Sequence, residues 1–95
     1  RHEKMMSSTV RQARLRIVER IDRLAHGNPG DTKPVGGGVW ELRLTHGPGY
    51  RVYYLREGDP LILLLCGGDK STQSADIAAA HDIAQQWRAN QGGDR

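Results

Sequence analysis

Three apolar runs in the middle of the chain, flanked by two helical patterns, set its plan. Across residues 39–45, Trp40, Leu42 and Leu44 alternate with Val39, Glu41 and Arg43, which predicts a strand with one apolar face and one face bearing a charge pair. Thr45-His46-Gly47-Pro48-Gly49 is dense in turn residues, because Gly supplies positive φ and Pro fixes φ. In the second run, residues 50–56, Tyr50, Val52 and Tyr54 share one parity, while Arg51, Tyr53 and Leu55 share the other. Glu57-Gly58-Asp59-Pro60 marks the next turn. The third run, residues 61–66, is apolar without a break, which predicts a central strand covered on both faces. Two such short connections predict an antiparallel meander.

Before this sheet, Val10, Ala13, Ile17, Ile21 and Leu24 recur at helical spacing, with Val18 and Ala25 widening the stripe. Ser8 or Thr9 can cap that helix, and Gly27-Asn28-Pro29-Gly30 ends it. Arg11, Arg14, Arg16, Arg20 and Arg23 lie off the stripe, among Glu19 and Asp22. Residues 27–38 read as a long loop holding Lys33, in which Gly36-Gly37-Gly38 lets the chain turn sharply into the first strand. That glycine run lacks the spacing and the preceding strand of a dinucleotide loop. After the third strand, Ile77, Ala80, Ala84 and Trp87 predict one face of a second helix, with Ile83 beside it and Ser71 or Thr72 as its cap.

The expected fold is therefore α+β: a small antiparallel sheet, a meander of three strands with a fourth N-terminal strand missing, packed against an N-terminal helix and a C-terminal helix. The chain, 1–95, reads as one domain, with residues 1–8 and 91–95 as disordered ends. Arg1 opens the chain without an initiator methionine, which points to a start inside a longer product. No apolar run approaches the ~18 residues of a membrane span, so a cytoplasmic location is expected. The lone Cys66 sits in the most apolar run and reads as a small buried hydrophobe rather than a reactive thiol. His2, His26, His46 and His81 are scattered without metal-ligand spacing, so no metal or other cofactor is expected.

Charge changes the picture further. The formal net charge is +3 and the basic side chains are mostly arginine, with lysine only at 4, 33 and 70. Arginine suits bidentate contact with phosphate and stacking on bases. Arg43, Arg51 and Tyr53 share one parity of adjacent strands, and Lys70 follows the third strand. Such a cluster suits RNA phosphates and the charge that builds on a phosphate under attack. With the RNA's own 2′-hydroxyl as nucleophile, the protein must splay the RNA, accept a proton, return one and offset negative charge. Glu41 and His46 are the candidate bases; Tyr53 is a candidate for stacking or proton donation. An ion pair between Arg51 and Glu41 is the competing structural role for both. Arg16, Arg20 and Lys33 are candidate RNA contacts, against a solvated basic face.

Four motifs stand in order: G-N-x-G-D-x-K-x-V-G at 27–36, V-x-E-L-R at 39–43, G-P-G-Y-R-V-Y at 47–53 and G-G-D-K-S-x-Q at 67–73. With them the chain resembles the HigB-like addiction-module killer toxins of the RelE/ParE superfamily over about residues 9–90. The resemblance implies a type II toxin–antitoxin toxin of RelE-like fold, a metal-independent endoribonuclease (mRNA interferase) that cuts mRNA on the ribosome. It implies a cognate antitoxin partner, of the helix-turn-helix HigA-like kind, and a homodimer or hetero-oligomer with it. Arg51 falls at the superfamily's catalytic arginine, Arg43 at the sheet's other basic residue and Lys70 at the basic residue after the last strand; His46 and Tyr53 complete the candidate catalytic set. Two departures accompany it. The N-terminal edge strand and aromatic-x-x-Trp-Leu helix pattern are absent before Thr9, and Gln73, Asp76 and His81 stand where RelE-type enzymes carry a C-terminal tyrosine or histidine. A ParE-like DNA gyrase inhibitor and an inactive antitoxin-binding module are the alternatives.

Overall fold

The computed structural model describes residues 8–45, 47–57 and 62–93. Its elements are α1 (Ser8–Ala25), β1 (Thr32–Pro34), β2 (Val39–Arg43), β3 (Arg51–Arg56), β4 (Ile62–Gly68), a 3₁₀ turn (Lys70–Thr72) and α2 (Gln73–Gly93). The four strands form one antiparallel sheet in the order β1-β2-β3-β4. The α+β architecture expected from the pattern is present, and it is consistent with a RelE-like fold.

Both faces of the sheet are covered. On one, Leu24, Ile17 and Ile21 of α1 pack against Trp40, Leu42, Leu44, Val52 and Tyr54. On the other, Ile77, Ala80, Ala84 and Trp87 of α2 pack against Val39, Tyr53 and Leu55. The second parity of β2 is thus no solvent face: Val39 and Glu41 are fully buried. The expected α2 stripe is the face in use, and its two alanines let the helix approach the sheet closely. The α1 stripe is narrower than its sequence suggests, since Val18 is 60% exposed and Ala25 exposed. The helix terminates as expected: Gly27 adopts φ 88° and Asn28 N donates to Arg23 O at 2.8 Å, satisfying a terminal carbonyl.

Four expectations need correction. The fourth strand is β1, inside the segment read as a loop; three residues including a proline carry no alternation, and they become a strand by pairing with 40–42. The third run is an edge, not the centre. A bulge opposite Tyr53/Tyr54 turns both Leu65 and Cys66 toward the α2 cluster, while Leu64 is left 47% exposed. A 3₁₀ turn precedes α2, and Asp69 caps that turn ahead of Ser71 and Thr72: its carboxylate accepts from Ser71 N at 2.8 Å, and Thr72 Oγ1 accepts from Asp69 N at 3.3 Å. Finally, α2 continues to Gly93, so the C-terminal end is helical past Asn90. Residues 1–7, 94 and 95 lie outside the described residues, as do any N-terminal strand and the cap of α1.

The triple glycine earns its place. Gly36, Gly37 and Gly38 adopt φ 94°, 60° and 80°. They lie under α2, where His81 Nε2 donates to Val35 O at 2.9 Å and Arg88 Nη1 to Gly37 O at 2.8 Å. These contacts set the angle at which β2 enters the sheet.

Candidate functional site

A cationic cleft lies at the end of the sheet where β2 finishes, β3 begins and β4 runs into the 3₁₀ turn. Antiparallel pairing places Arg43 directly across from Arg51, and Arg51 across from Gly68, one residue before Asp69 and two before Lys70. The resulting open cleft of ≈ 510 Å³ is lined by Arg43, Arg51 and Lys70 together with Asp31, Leu44, Thr45 and the 47–49 turn. The three cations singled out in the sequence therefore share one surface. Like charges directly opposite on neighbouring strands disfavour the sheet by a few tenths to ~1 kcal/mol, so something must hold them.

Each arginine has its own counter-ion. Arg43 Nη2 donates to Asp31 Oδ1 at 3.1 Å, at the solvent side of the cleft. Arg51 is only 12% exposed in its side chain; its Nε stands 3.6 Å from Glu41 Oε2, and its Nη1 donates to Gly49 O at 2.8 Å. The Arg51–Glu41 ion pair weighed in the sequence is present. Glu41 Oε2 also accepts from the Tyr53 hydroxyl at 3.0 Å and from Gln73 Nε2 at 2.8 Å. Burial, then the hydrogen bond to Glu41, pushes the Tyr53 phenol well above its ordinary value.

Local backbone makes the cleft close-packed. Gly49 has φ 81°, and a Cβ there would stand 3.3 Å from Arg51 Nη1 and 3.4 Å from Lys70 Cβ. Lys70 N donates to Pro48 O at 3.4 Å, tying the start of the 3₁₀ turn to the 47–49 turn. At Gly68 a Cβ would collide with Asp76 Oδ2, which the Thr72 hydroxyl meets in a short hydrogen bond. Hydrogen bonds from Ser71 hold Asp69 below the usual carboxylate range, so the cap stays ionised and Lys70 stays where the turn places it.

A second cleft of ≈ 300 Å³, lined by Arg16, Glu19, Arg20 and Arg23 of α1, shares Leu44 and Thr45 with the first. Arg16 is exposed there. Arg20 is different: its Nη1 donates to Arg43 O at 2.8 Å and its Nη2 to Pro29 O at 3.0 Å, so it clasps α1 to the end of β2. Lys33 is exposed on β1 and lines neither cleft. His46 lies outside the described residues; its neighbours Thr45 and Gly47 both line the first cleft. Two candidates are sealed away from solvent. Glu41, weighed as a base, and Tyr53, weighed for stacking, have no exposed surface. Cys66 is half-buried, and burial raises its thiol, which fits the expected unreactive role.

Sequence reasoning missed Asp31 as a partner of Arg43, and it named Gln73 without its contact to Glu41. Each reaches its partner only through the fold, Asp31 by the β1–β2 pairing and Gln73 by the packing of α2. The available signal was their presence within the first and last of the four motifs. Among the described residues no group of three or more His, Cys, Asp or Glu side chains is placed to hold a metal ion. Among them, too, no helix is long and apolar enough to cross a membrane.

The fold and the cleft define a small α+β protein whose antiparallel sheet ends in a cluster of paired cations. Residues 4–88 match the family described as "Phage derived protein Gp49-like (DUF891)", and the chain belongs to that family. It is a family of toxin-like proteins associated with toxin–antitoxin modules, whose members pair with an antitoxin. A Haemophilus influenzae protein (strain ATCC 51907 / DSM 11121 / KW20 / Rd), named "Uncharacterized protein", is 51% identical over 75 residues, covering 79% of this chain and 76% of its own. No solved structure matches.

Proposed function

We propose that the protein is the toxin of a type II toxin–antitoxin module, a HigB/RelE-like mRNA interferase that cleaves mRNA on the ribosome and is neutralised by a cognate antitoxin of the HigA-like kind. The observation that carries this reading is the convergence of Arg43, Arg51 and Lys70 on one open cleft. Three cations at that spacing suit a bent RNA backbone, with the scissile phosphate against Arg51 and its neighbours against Arg43 and Lys70. The 2′-oxygen attacks the adjacent phosphorus as its proton passes to a base, the bond to the 5′-oxygen breaks and that oxygen takes a proton from the protonated base or from water, and a 2′,3′-cyclic phosphate and a 5′-hydroxyl end result. Arg51 offsets the charge that develops on the non-bridging oxygens.

The proton of the 2′-hydroxyl needs an acceptor in the cleft. Glu41 is sealed beneath it, so of the two candidate bases in the sequence we assign the role to His46, because an imidazole's ordinary titration range is near neutrality. Arg16 and Arg23, in the adjoining cleft, extend the basic surface along which RNA is held. The test is cleavage of a reporter mRNA in a translating extract by the wild-type protein and by Arg51→Ala. Cuts that need both ribosomes and Arg51 support the reading. Intact mRNA from a folded protein that instead blocks gyrase supercoiling would move it to the gyrase-inhibitor class.

A further inference from the structure

Glu41 is a charged residue the proposed chemistry does not use. It has no exposed surface, yet it stands directly behind the most buried cation of the cleft. Three side chains from two elements converge on its Oε2: Tyr53 of β3 donates at 3.0 Å, Gln73 at the start of α2 donates at 2.8 Å, and Arg51 Nε, also of β3, faces it at 3.6 Å. Glu41 Oε1 and Arg51 Nε are both buried without a hydrogen-bond partner. A carboxylate withdrawn from water in this state is costly, and its net contribution to stability is small or negative. An apolar side chain at this position would suit the surrounding core, with Val39 on the same strand and Tyr53 and Leu55 opposite.

The geometry gives the cost a use. The Gly49 carbonyl fixes Arg51 Nη1, and the Glu41 charge holds the Nε side of the guanidinium. These two contacts, from a turn and from the strand alongside, hold the guanidinium of Arg51 on two sides while it lines the cleft. They also hold Arg51 against repulsion from Arg43, its direct cross-strand neighbour. Tyr53 and Gln73 in turn fix Glu41, so its direction is set by two elements that cannot move independently of the sheet.

We propose that Glu41 is a positioning residue: a sealed carboxylate that aims the Arg51 guanidinium into the cleft and never meets the RNA. This rests on the reading of the cleft as the RNA-cleaving site. Glu41→Gln keeps the shape and an acceptor for Tyr53 and Gln73, and removes the charge that Arg51 faces. Two readouts separate positioning from mere support. In the cleavage assay, the variant is expected to lose about tenfold or more in kcat with KM within about twofold, because orientation acts in the transition state. In an NMR spectrum recording arginine side chains, the Arg51 Nε–Hε signal is expected to be ordered in the wild type and to lose its heteronuclear NOE in the variant.

A folded Glu41→Gln protein with wild-type kcat, or with an Arg51 signal as ordered as before, overturns the proposal. So does a rise in KM alone, which would place Glu41 in binding rather than in orientation. If Glu41→Gln does not fold, Tyr53→Phe removes one of the two donors that fix the carboxylate, and the same drop in kcat and in Arg51 order is expected; no change in either overturns it. If the wild type cuts no RNA, the failure belongs to the nuclease reading, and the Nε–Hε comparison still decides whether Glu41 orders Arg51.

Discussion

Strand β3 begins and ends with an arginine, and the two have nothing in common but their residue type. Arg51 points to the α2 face with Tyr53 and Leu55; its side chain is 12% exposed, faces a buried carboxylate and lines the cleft. Arg56, on the other parity with Val52 and Tyr54, is exposed, and its guanidinium lies 6.0 Å from the Trp40 ring centroid. They stand five positions apart, an odd step that changes the face. The comparison teaches that the positive charge of this protein is not uniform in meaning. At one end of the strand it is held in place by a turn and by the neighbouring strand, and at the other it lies over an aromatic ring.

The strongest way to sharpen that contrast is to leave Arg51 without its counter-ion. Glu41→Ala removes one partner of a buried pair and opens a void, and a loss of about 3 kcal/mol in urea unfolding is expected. Arg56→Ala, by contrast, should change stability by no more than about 0.5 kcal/mol, because a single exposed cation–π contact is weak. Equal losses in the two variants would erase the distinction between the two ends.

Next in size is Gly49, whose positive φ of 81° lets Arg51 and Lys70 come together. Gly49→Ala should cost about 1–2 kcal/mol from backbone strain and weaken binding of a 2′-deoxy RNA analogue. Unchanged affinity would show that the approach of the two cations is immaterial. Arg16→Glu should lower RNA affinity by several-fold and reduce the salt slope of binding by about one to two, since one phosphate contact is lost and a repulsive charge gained. Arg16 is the better probe on α1, because Arg20 is engaged with three segments of backbone and its loss would disturb the fold.

The smallest expected effect is a pH dependence. Burial and Glu41 raise the Tyr53 phenol above its ordinary value of about 10, so folding favours the protonated form. That contribution is fully present below about pH 10 and is lost as pH rises through the raised value. The urea midpoint should therefore fall from pH 10 upward, and Tyr53→Phe should flatten that part of the fall. An identical slope in the variant would mean that folding does not raise the Tyr53 phenol and that other groups cause the fall.

How far these features were legible follows from their range in sequence. The three longer strands and both helices were legible because apolar residues repeat at two or at three to four positions over enough length to be read. β1 was not, since Thr32-Lys33-Pro34 has no pattern of its own and is a strand only beside β2. The central position given to the third run failed because an unbroken apolar run has two causes: cover on both faces, or a bulge that changes parity midway. Here it is the bulge, with Leu64 half exposed. At the site, the parity of β2 and β3 already brought Arg43 and Arg51 together, and Lys70 followed from the meander. What could not be read was depth. Alternation assigns Glu41 and Tyr53 to the face of Arg51, but α2 decides that they lie under the cleft rather than in it.

The measurement that bears most directly on the account compares the two ends of β3 in one experiment. Primer extension on a reporter mRNA in a translating extract would be run with the wild-type protein, Arg51→Ala and Arg56→Ala. The account predicts ribosome-dependent cuts from the wild type and from Arg56→Ala, and a loss of at least about a hundredfold in Arg51→Ala, the scale of removing one charge-stabilising donor. Cuts that persist in folded Arg51→Ala, or that vanish equally in both variants, would contradict it.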